Sequence, residues 1–406
     1  NRLFPPTERD LERQRHRIMQ NYLPLADARA GIKNFTMGGW QGFGEKFAPT
    51  MVEPAESRPC EGCRTSCTVS QVAPGQRHYH AEAWCPMGAN CLIDDVDALL
   101  KAYDVCNRYG LDCISAGDII AFAMELYEKG LISKGDTGGI ELEWGNSKAM
   151  LEMLVKMGER EGFGEILGQG VKKAAEHIGS GASEYAIHVK GLEIALHDPR
   201  CHNAWALQNA TGSRGGDHME GATLWFQGYQ TPYLKSEEAK AAVNNRVAID
   251  GMTELTAWSQ DFDNLLDSLG VCKFLYLPRV WLREVPEGYN GVQPPHFLEW
   301  LNCTMGWDMD MEEFMRAGER IFNLKRMFNV RRGISRKDDV LPPRLLTLKR
   351  GGEGYSPDNL PPLGALLNSY YQYRGWSEEG IPTKEKLLEL DLKELAEFST
   401  PSAMRK

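Results

Sequence analysis

Three cysteines within eight residues constrain this chain more than any other feature of its sequence. Cys60, Cys63 and Cys67 follow the spacing C-x2-C-x3-C, and no fourth cysteine lies beside them. Thiolates this close do not readily bridge one another, but they converge easily on one soft metal centre. Joined by one remote cysteine, they form a ligand set for a cubane iron–sulfur cluster. The same spacing also fits structural zinc or reduced core thiols.

Charge and composition exclude several classes of protein. The 46 Lys and Arg against 56 Asp and Glu give a net charge of −10, which disfavours a nucleic-acid or anionic-membrane partner. No apolar run approaches the roughly 20 residues that span a bilayer. Ten cysteines in 406 residues are few and clustered, unlike those of a secreted disulfide scaffold. We therefore predict a reducing, cytoplasmic location.

The start of the chain predicts a longer polypeptide or a split protein. The first residue is Asn1, and the charged stretch 2–19 carries neither an initiation signal nor a signal-like apolar segment. We expect this chain to be the later part of a longer polypeptide, or one subunit of a divided one.

Helical periodicity predicts a mainly α fold. Predicted helices cover 94–109 (capped by Gly110), 118–129, 147–161, 236–248, 254–268, 311–329, 363–374 and 384–398. The best strand candidate is 184–196, the glycine run 162–168 reads as a turn between helices, and 286–295 and 341–343 read as surface connections. We predict two closely packed domains, 1–187 and 188–406.

A short internal repeat marks two helix ends. Residues 107–112 and 267–272 share the pattern [Asp/Asn]-x-x-Gly-[Leu/Val]-[Asp/Cys]. Asp267 in a last helical turn opposes the helix dipole, at a cost of about 0.3–1 kcal/mol. A site that tolerates this cost needs an acceptor for a ligand. The second copy ends in Cys272, the remote thiol that the triad lacks.

In its motifs, nearly the whole chain resembles the two C-terminal helical domains of the tungsten-dependent aldehyde ferredoxin oxidoreductase family. The resemblance rests on the number and order of short motifs. Besides the triad and the repeat, they are Gly139–Asn146, Lys190–Glu193, His197–Arg200, Arg214–His218, Phe328–Gly333, Arg336–Asp339 and Tyr370–Trp376.

The resemblance implies two helical domains that sandwich a tungsten (or molybdenum) bis-pterin, with a [4Fe–4S] cluster nearby. The implied cluster ligands are Cys60, Cys63, Cys67 and Cys272. The implied pterin-binding residues are Asn107, Gly110, Leu111, Asp112, Asp267 and Val271, with Asn107 standing where the family usually has Asp. Lys190 and Arg200 are expected at the pterin phosphates, where Mg²⁺ would bridge, unless both are merely surface charges.

The resemblance also assigns proton handling to Glu82 and His218, with His197 lining the substrate pocket. For Glu82 and His218 the alternatives are a solvated carboxylate and an ordinary polar histidine. Cys85 is a candidate metal thiolate, as in the tungsten aromatic-acyl-CoA reductases of this family.

The leading functional hypothesis is an enzyme of an anaerobic prokaryote that oxidises aldehydes to carboxylates, or reverses this reaction, and passes electrons to ferredoxin or an iron–sulfur subunit. The alternatives are an aromatic acyl-CoA reductase and a non-catalytic electron-transfer subunit. The family's N-terminal β domain is not in this sequence, so we expect another chain or a removed segment to supply it. The substrate would be a small aldehyde or an acyl-CoA, and we expect an oligomer.

Overall fold

Helices dominate this protein, as its periodicity predicts. The structure, a computed structural model, describes residues 29–39, 57–58, 71–72, 85–195, 197–221, 223, 233–273, 292–352 and 354–397. These ranges include helices α1 to α14, in order Val96–Tyr109, Cys113–Glu128, Ser147–Glu159, Phe163–Leu167, Val171–Ile178, Asn203–Thr211, Glu237–Ala242, Met252–Ser268, Pro294–Met305, Met311–Arg331, Pro343–Thr347, Leu363–Arg374, Lys384–Glu389 and Lys393–Ala396. The fold class is mainly α, as expected.

In the described ranges each strand is two residues long and pairs with the strand next to it in the chain. Strands β1 (Ser57–Arg58) and β2 (Gln71–Val72) are antiparallel, and so are β3 (His188–Val189) and β4 (Leu192–Glu193). The prediction of one strand over 184–196 is therefore wrong. The chain reverses at Lys190 and Gly191, whose φ angles of 54° and 91° are typical of a two-residue hairpin turn.

The predicted helices are present, but several begin or end elsewhere. Helix α2 begins at Cys113 rather than 118, because the side chain of Asp112 accepts a hydrogen bond from Ser115 N over 2.8 Å and caps it. The predicted helix 384–398 is two helices, α13 and α14, separated where Asp391 adopts a left-handed φ of 58°. The glycine run 162–168 contains the short helix α4.

The predicted surface connection at 341–343 is also wrong in part, since Leu341 is only 2% exposed. Pro294, in the other proline-rich stretch, begins helix α9 and is buried. Residues 286–291 lie outside the described residues.

Buried apolar side chains form two main cores. The first core takes its members from Ile32 to Ala186 and lies among α1 to α5. The second contains Phe35 and residues from Ile187 to Trp376, with α8 packed against α10 at its centre. These helices approach so closely that a Cβ atom on Gly318 would lie 2.3 Å from Asp261 O. The division into domains 1–187 and 188–406 stays a prediction.

Residues 29–39 form a strap that joins the two cores. Ile32 and Phe35 are each 1% exposed, yet they belong to different cores. Lys33, Asn34 and Phe35 have φ angles of 49°, 48° and 59°. This left-handed region costs a non-glycine residue roughly 1–2 kcal/mol. The surrounding structure therefore has to hold the strap in place.

Hydrogen bonds from both cores hold the strap. Asn34 Nδ2 donates to Glu125 Oε2 over 2.6 Å on the first-core side. On the other side, Arg344 Nη1 donates to Asn34 O over 2.6 Å and Arg350 Nη2 donates to Ala30 O over 2.9 Å. Arg344 also donates two hydrogen bonds to the carboxylate of Glu125, over 2.7 and 2.8 Å. One ion pair thus connects the strap and both cores.

We expect Arg344→Met to lower the free energy of unfolding by about 3–5 kcal/mol, because Glu125 would stay buried without its cation. Urea denaturation measures the change. Lys349→Met is the matched control, since Lys349 pairs with Asp358 at the surface and such a pair contributes at most about 1 kcal/mol. Equal losses in the two variants would contradict a structural role for the Arg344–Glu125 pair.

Candidate functional site

The two copies of the sequence repeat have the same backbone geometry. Gly110 and Gly270 adopt φ angles of 69° and 66° at the ends of α1 and α8. After each glycine the next amide bonds back five residues: Leu111 N donates to Cys106 O over 2.8 Å, and Val271 N donates to Leu266 O over 2.9 Å. This is the closure expected of a helix end with a left-handed glycine. The repeat is therefore a structural repeat as well.

The polar residues of the first turn face solvent. Asn107 is exposed, and its Nδ2 donates to Tyr103 O over 2.8 Å. Its side-chain oxygen would therefore be the atom that accepts from a ligand. Asp112 is exposed as well and uses Oδ1 to cap α2. The pterin-binding role of these residues stays a prediction.

The second turn carries an acceptor and a thiol. Asp267 is 54% exposed and lies 3.5 Å from the ammonium of Lys273. Cys272 is an exposed, free cysteine directly after Val271. An accessible sulfur and an accessible carboxylate on one turn suit a site for a metal cluster beside a nitrogen-rich ligand.

The other three predicted cluster ligands, and Glu82, lie outside the described residues. Cys60, Cys63 and Cys67 fall in the chain between β1 and β2, and Glu82 lies just before Cys85, which is 1% exposed. Among the residues that the structure describes, no three His, Cys, Asp or Glu side chains are arranged so that they could hold a metal ion. The four-cysteine set therefore stays a prediction.

His197 and His218 lie together, although 21 positions separate them in the sequence. Their ring centroids are 4.8 Å apart, with the ring planes at 71°. His197 is 1% exposed, and burial, together with Arg29 and His218, lowers its pKa well below the usual value. His197 is consequently neutral near pH 7. The pair therefore combines the buried, neutral imidazole of His197 with the half-buried imidazole of His218.

The loop 213–221, which carries His218, is anchored at several points. Gln208 Nε2 donates to His218 O over 2.7 Å, and Asp263 Oδ2 accepts from Gly221 N over 2.8 Å. Glu220 is 3% exposed, accepts from Ser213 Oγ over 2.6 Å and forms an ion pair with Lys325 of α10. These anchors hold the backbone of the loop on both sides of His218.

Lys190 and Arg200 are both buried, so the alternative interpretation, in which they are surface charges, is wrong. The Lys190 side chain is 4% exposed and lies 2.8 Å from Asp339 Oδ1; burial lowers its pKa in spite of this carboxylate. Arg200 is fully buried, and its guanidinium contacts Asp198 over 2.6 Å and Phe35 O over 2.8 Å. Their contact with pterin phosphates stays a prediction.

Sequence reasoning missed a buried acidic group behind the first turn. Glu193 accepts from Ser115 Oγ over 2.8 Å and from Val171 N over 2.6 Å. Asp118, 3% exposed, accepts from Asn90 Nδ2 over 2.8 Å, and burial, followed by the charge of Glu193, raises its pKa well above the usual value. Glu193 belongs to the motif Lys190–Glu193, and its place there is the sequence signal that could have indicated this acidic group.

His202, near the histidine pair, gives a test of stability against pH. Its Nδ1 accepts from Ala204 N over 3.1 Å, and burial, helped by Arg246, lowers its pKa to about 3. The unfolded chain binds this proton below about pH 6.5 and the folded protein does not. His202 therefore makes stability fall as pH drops from about 6.5 towards 3.

We expect His202→Asn, which keeps an acceptor at the helix start, to reduce this pH dependence by up to about 1.4 kcal/mol per pH unit. Urea denaturation between about pH 6 and 4 measures it. The exposed residue His177 provides the control variant His177→Asn. An unchanged slope in His202→Asn would contradict a neutral, buried His202.

The structure thus combines two capped turns, a histidine pair and an exposed cysteine on a mainly helical scaffold, and comparison with known proteins identifies the family. The family model described as "Aldehyde ferredoxin oxidoreductase, domains 2 & 3" matches residues 27–392. The chain belongs to this family, as its motifs predict.

Two relatives are the tungsten-containing aldehyde ferredoxin oxidoreductases of Pyrococcus furiosus and Pyrococcus abyssi. Both are 31% identical to this chain, over 89% of its length and 57% of theirs. An aliphatic sulfonate oxidoreductase, WOR-like subunit, of Pyrococcus furiosus is 30% identical over 78% of this chain and 46% of its own. The chain thus spans about half the length of the curated relatives it matches.

A solved structure has the same fold. The active site complex BamBC of benzoyl coenzyme A reductase, in complex with 1,5-dienoyl-CoA, superimposes with a TM-score of 0.69 at 24% identity. The match covers 93% of this chain and 59% of that chain. Among the described residues, none of the helices is of a length and apolarity that would let it cross a membrane.

Proposed function

We propose that this chain is the cofactor-binding part of a tungsten–pterin, iron–sulfur oxidoreductase that converts aldehydes to carboxylates, or the reverse. The observation that carries the proposal is the pair of similar left-handed glycine turns, the second of which ends in the exposed Cys272. Membership of the family and the tungsten-containing relatives support it.

The residues present fit such a cofactor. Four thiolates, those of Cys60, Cys63, Cys67 and Cys272, suit a [4Fe–4S] cluster. The two turns would hold the pterins through Gly110, Leu111 and Val271, with Asn107, Asp112 and Asp267 as acceptors for ring and amino N–H groups. Lys190 and Arg200 would contribute positive charge near the pterin phosphates, where Mg²⁺ would also bind. The bound cofactor would supply the two-electron redox chemistry and pass electrons on singly.

The protein's own task is to move protons. Oxidation of an aldehyde by water yields a carboxylic acid, two protons and two electrons. In our proposal Glu82 takes a proton from the attacking water, while His218 donates a hydrogen bond to the carbonyl oxygen. His197 lines the pocket beside His218. Because His197 is neutral, it brings no positive charge of its own to the pocket.

The rest of the protein would come from another polypeptide segment. We propose that an N-terminal β domain covers the cofactor, because without it one side would be open to water. Electrons would leave for ferredoxin or an iron–sulfur subunit. The setting we propose is the cytoplasm of an anaerobic prokaryote, with the chain in an oligomer.

Metal analysis of the protein purified without oxygen tests the proposal. Tungsten with about four irons per chain is the expected result. Iron without tungsten would instead support an electron-transfer subunit, and zinc alone would refute both. Assays with an aldehyde and with an aromatic acyl-CoA, each coupled to a low-potential dye, then separate the two kinds of substrate.

A further inference from the structure

Lys273 follows Cys272 directly, and its side chain contacts the loop 213–221, which carries His218. The side chain is 11% exposed, so its ammonium group depends on protein partners. It donates to Met219 O and lies 3.5 Å from Asp267 Oδ1 and 3.8 Å from Asp263 Oδ2. Met219 is the neighbour of His218 in the loop 213–221.

Asp263 extends this connection. Its carboxylate is 3% exposed and also accepts from Gly221 N over 2.8 Å. The backbone after His218 is therefore held at two points, by Lys273 through Met219 O and by Asp263 through Gly221 N. Since Lys273 also forms an ion pair with Asp263, the two contacts belong to one network of polar side chains.

The other end of the loop has a separate anchor. Lys325 on α10 reaches Glu220, which in turn accepts from Ser213 N over 2.5 Å and from Ser213 Oγ over 2.6 Å. Lys325 Nζ also lies 3.1 Å from Asn264 Oδ1. Lys325 thus ties the loop to the α8–α10 pair, whereas Lys273 ties it to the turn that bears Cys272.

We propose that Lys273 is a positioning residue that couples the loop of His218 to the cysteine turn at residue 272. The inference rests on the proposed function for the identity of the group bound to Cys272. The ammonium acts in two ways. It fixes the backbone next to His218, and it places a positive charge beside the turn that carries the sulfur ligand.

The second action has a definite sign. Reduction adds a negative charge to a cluster, and a nearby cation stabilises the reduced form. Removal of the charge at Lys273 should therefore lower the midpoint potential of the cluster, and Lys273→Arg should keep it close to that of the unmodified protein.

The experiment compares Lys273→Gln, Lys273→Arg and the control Lys240→Gln in the full chain purified without oxygen. Lys240 pairs with Glu237 at the surface of α7, and this pair includes no residue of the loop 213–221. Hydrogen–deuterium exchange of the segment 213–221 reports how the loop is held, and potentiometric titration followed by electron paramagnetic resonance reports the midpoint potential.

In Lys273→Gln we expect amide exchange in 213–221 to accelerate about tenfold and the midpoint potential to fall. Lys273→Arg and Lys240→Gln should resemble the unmodified protein in both. Unchanged exchange in Lys273→Gln would overturn the positioning role, and faster exchange at an unchanged potential would overturn the link to the cluster. An unmodified protein without an iron–sulfur signal would refute the proposed function and that link together, while the exchange data would still decide the positioning role.

Discussion

Cys272→Ser should lose most of the iron of the purified protein and lower aldehyde-dependent dye reduction at least about 100-fold. A serine hydroxyl stays protonated near neutral pH and is a poor ligand for iron in place of a thiolate. In the folded protein Cys272 is exposed at the end of a defined turn, so the substitution removes a sulfur without opening a cavity. Iron analysis and the electron paramagnetic resonance signal measure the loss.

Cys303→Ser is the matched control for this change. Cys303 is also an exposed, free cysteine, but it lies on α9 rather than on either turn. We expect it to keep both iron and activity. Full iron content in Cys272→Ser would exclude residue 272 as a ligand, and equal losses in both variants would point to general damage.

Glu82→Gln should lower turnover by about 10²–10⁴-fold while leaving tungsten and iron in place, because an amide cannot take a proton from water. Turnover with a saturating aldehyde and a low-potential dye measures the effect, and metal analysis confirms that the cofactor remains. His218→Gln should lower turnover in the same direction.

Exposed residues of the same types provide the controls. Glu143→Gln and His177→Gln remove a carboxylate and an imidazole at the surface, and we expect turnover to stay within about twofold. If Glu82→Gln kept full turnover with intact cofactor, Glu82 would have no part in proton transfer. The hypothesis would then need another base.

The sequence predicted several of the helices that have one buried face. Helices α1, α3 and α10 alternate buried and exposed positions at helical spacing, and each was found. Helix α6 was missed because all nine of its residues are buried, which leaves no amphipathic pattern. Helix α5 is two turns long and begins after Gly170, without a side-chain cap. Local signals are weakest for such elements.

The site was predictable only where neighbouring residues determine the geometry. The turns at Gly110 and Gly270 follow from short patterns, so their shared backbone could be expected. The burial of Arg200 could not, because it depends on Asp198 nearby and on Phe35 O, 165 positions distant. The role of Lys273 likewise depends on Met219, 54 positions earlier.

The strap has a consequence for how the protein is made on the ribosome. Ala30 and Asn34 are synthesised first, and the arginines that bind them, Arg350 and Arg344, follow 320 and 310 residues later. At a synthesis rate of about 5–20 residues per second, roughly a quarter of a minute or more passes before these hydrogen bonds can form. Meanwhile the apolar ring of Phe35 has no finished core to enter. A chaperone that shields it during translation would therefore have the most effect on yield in this interval.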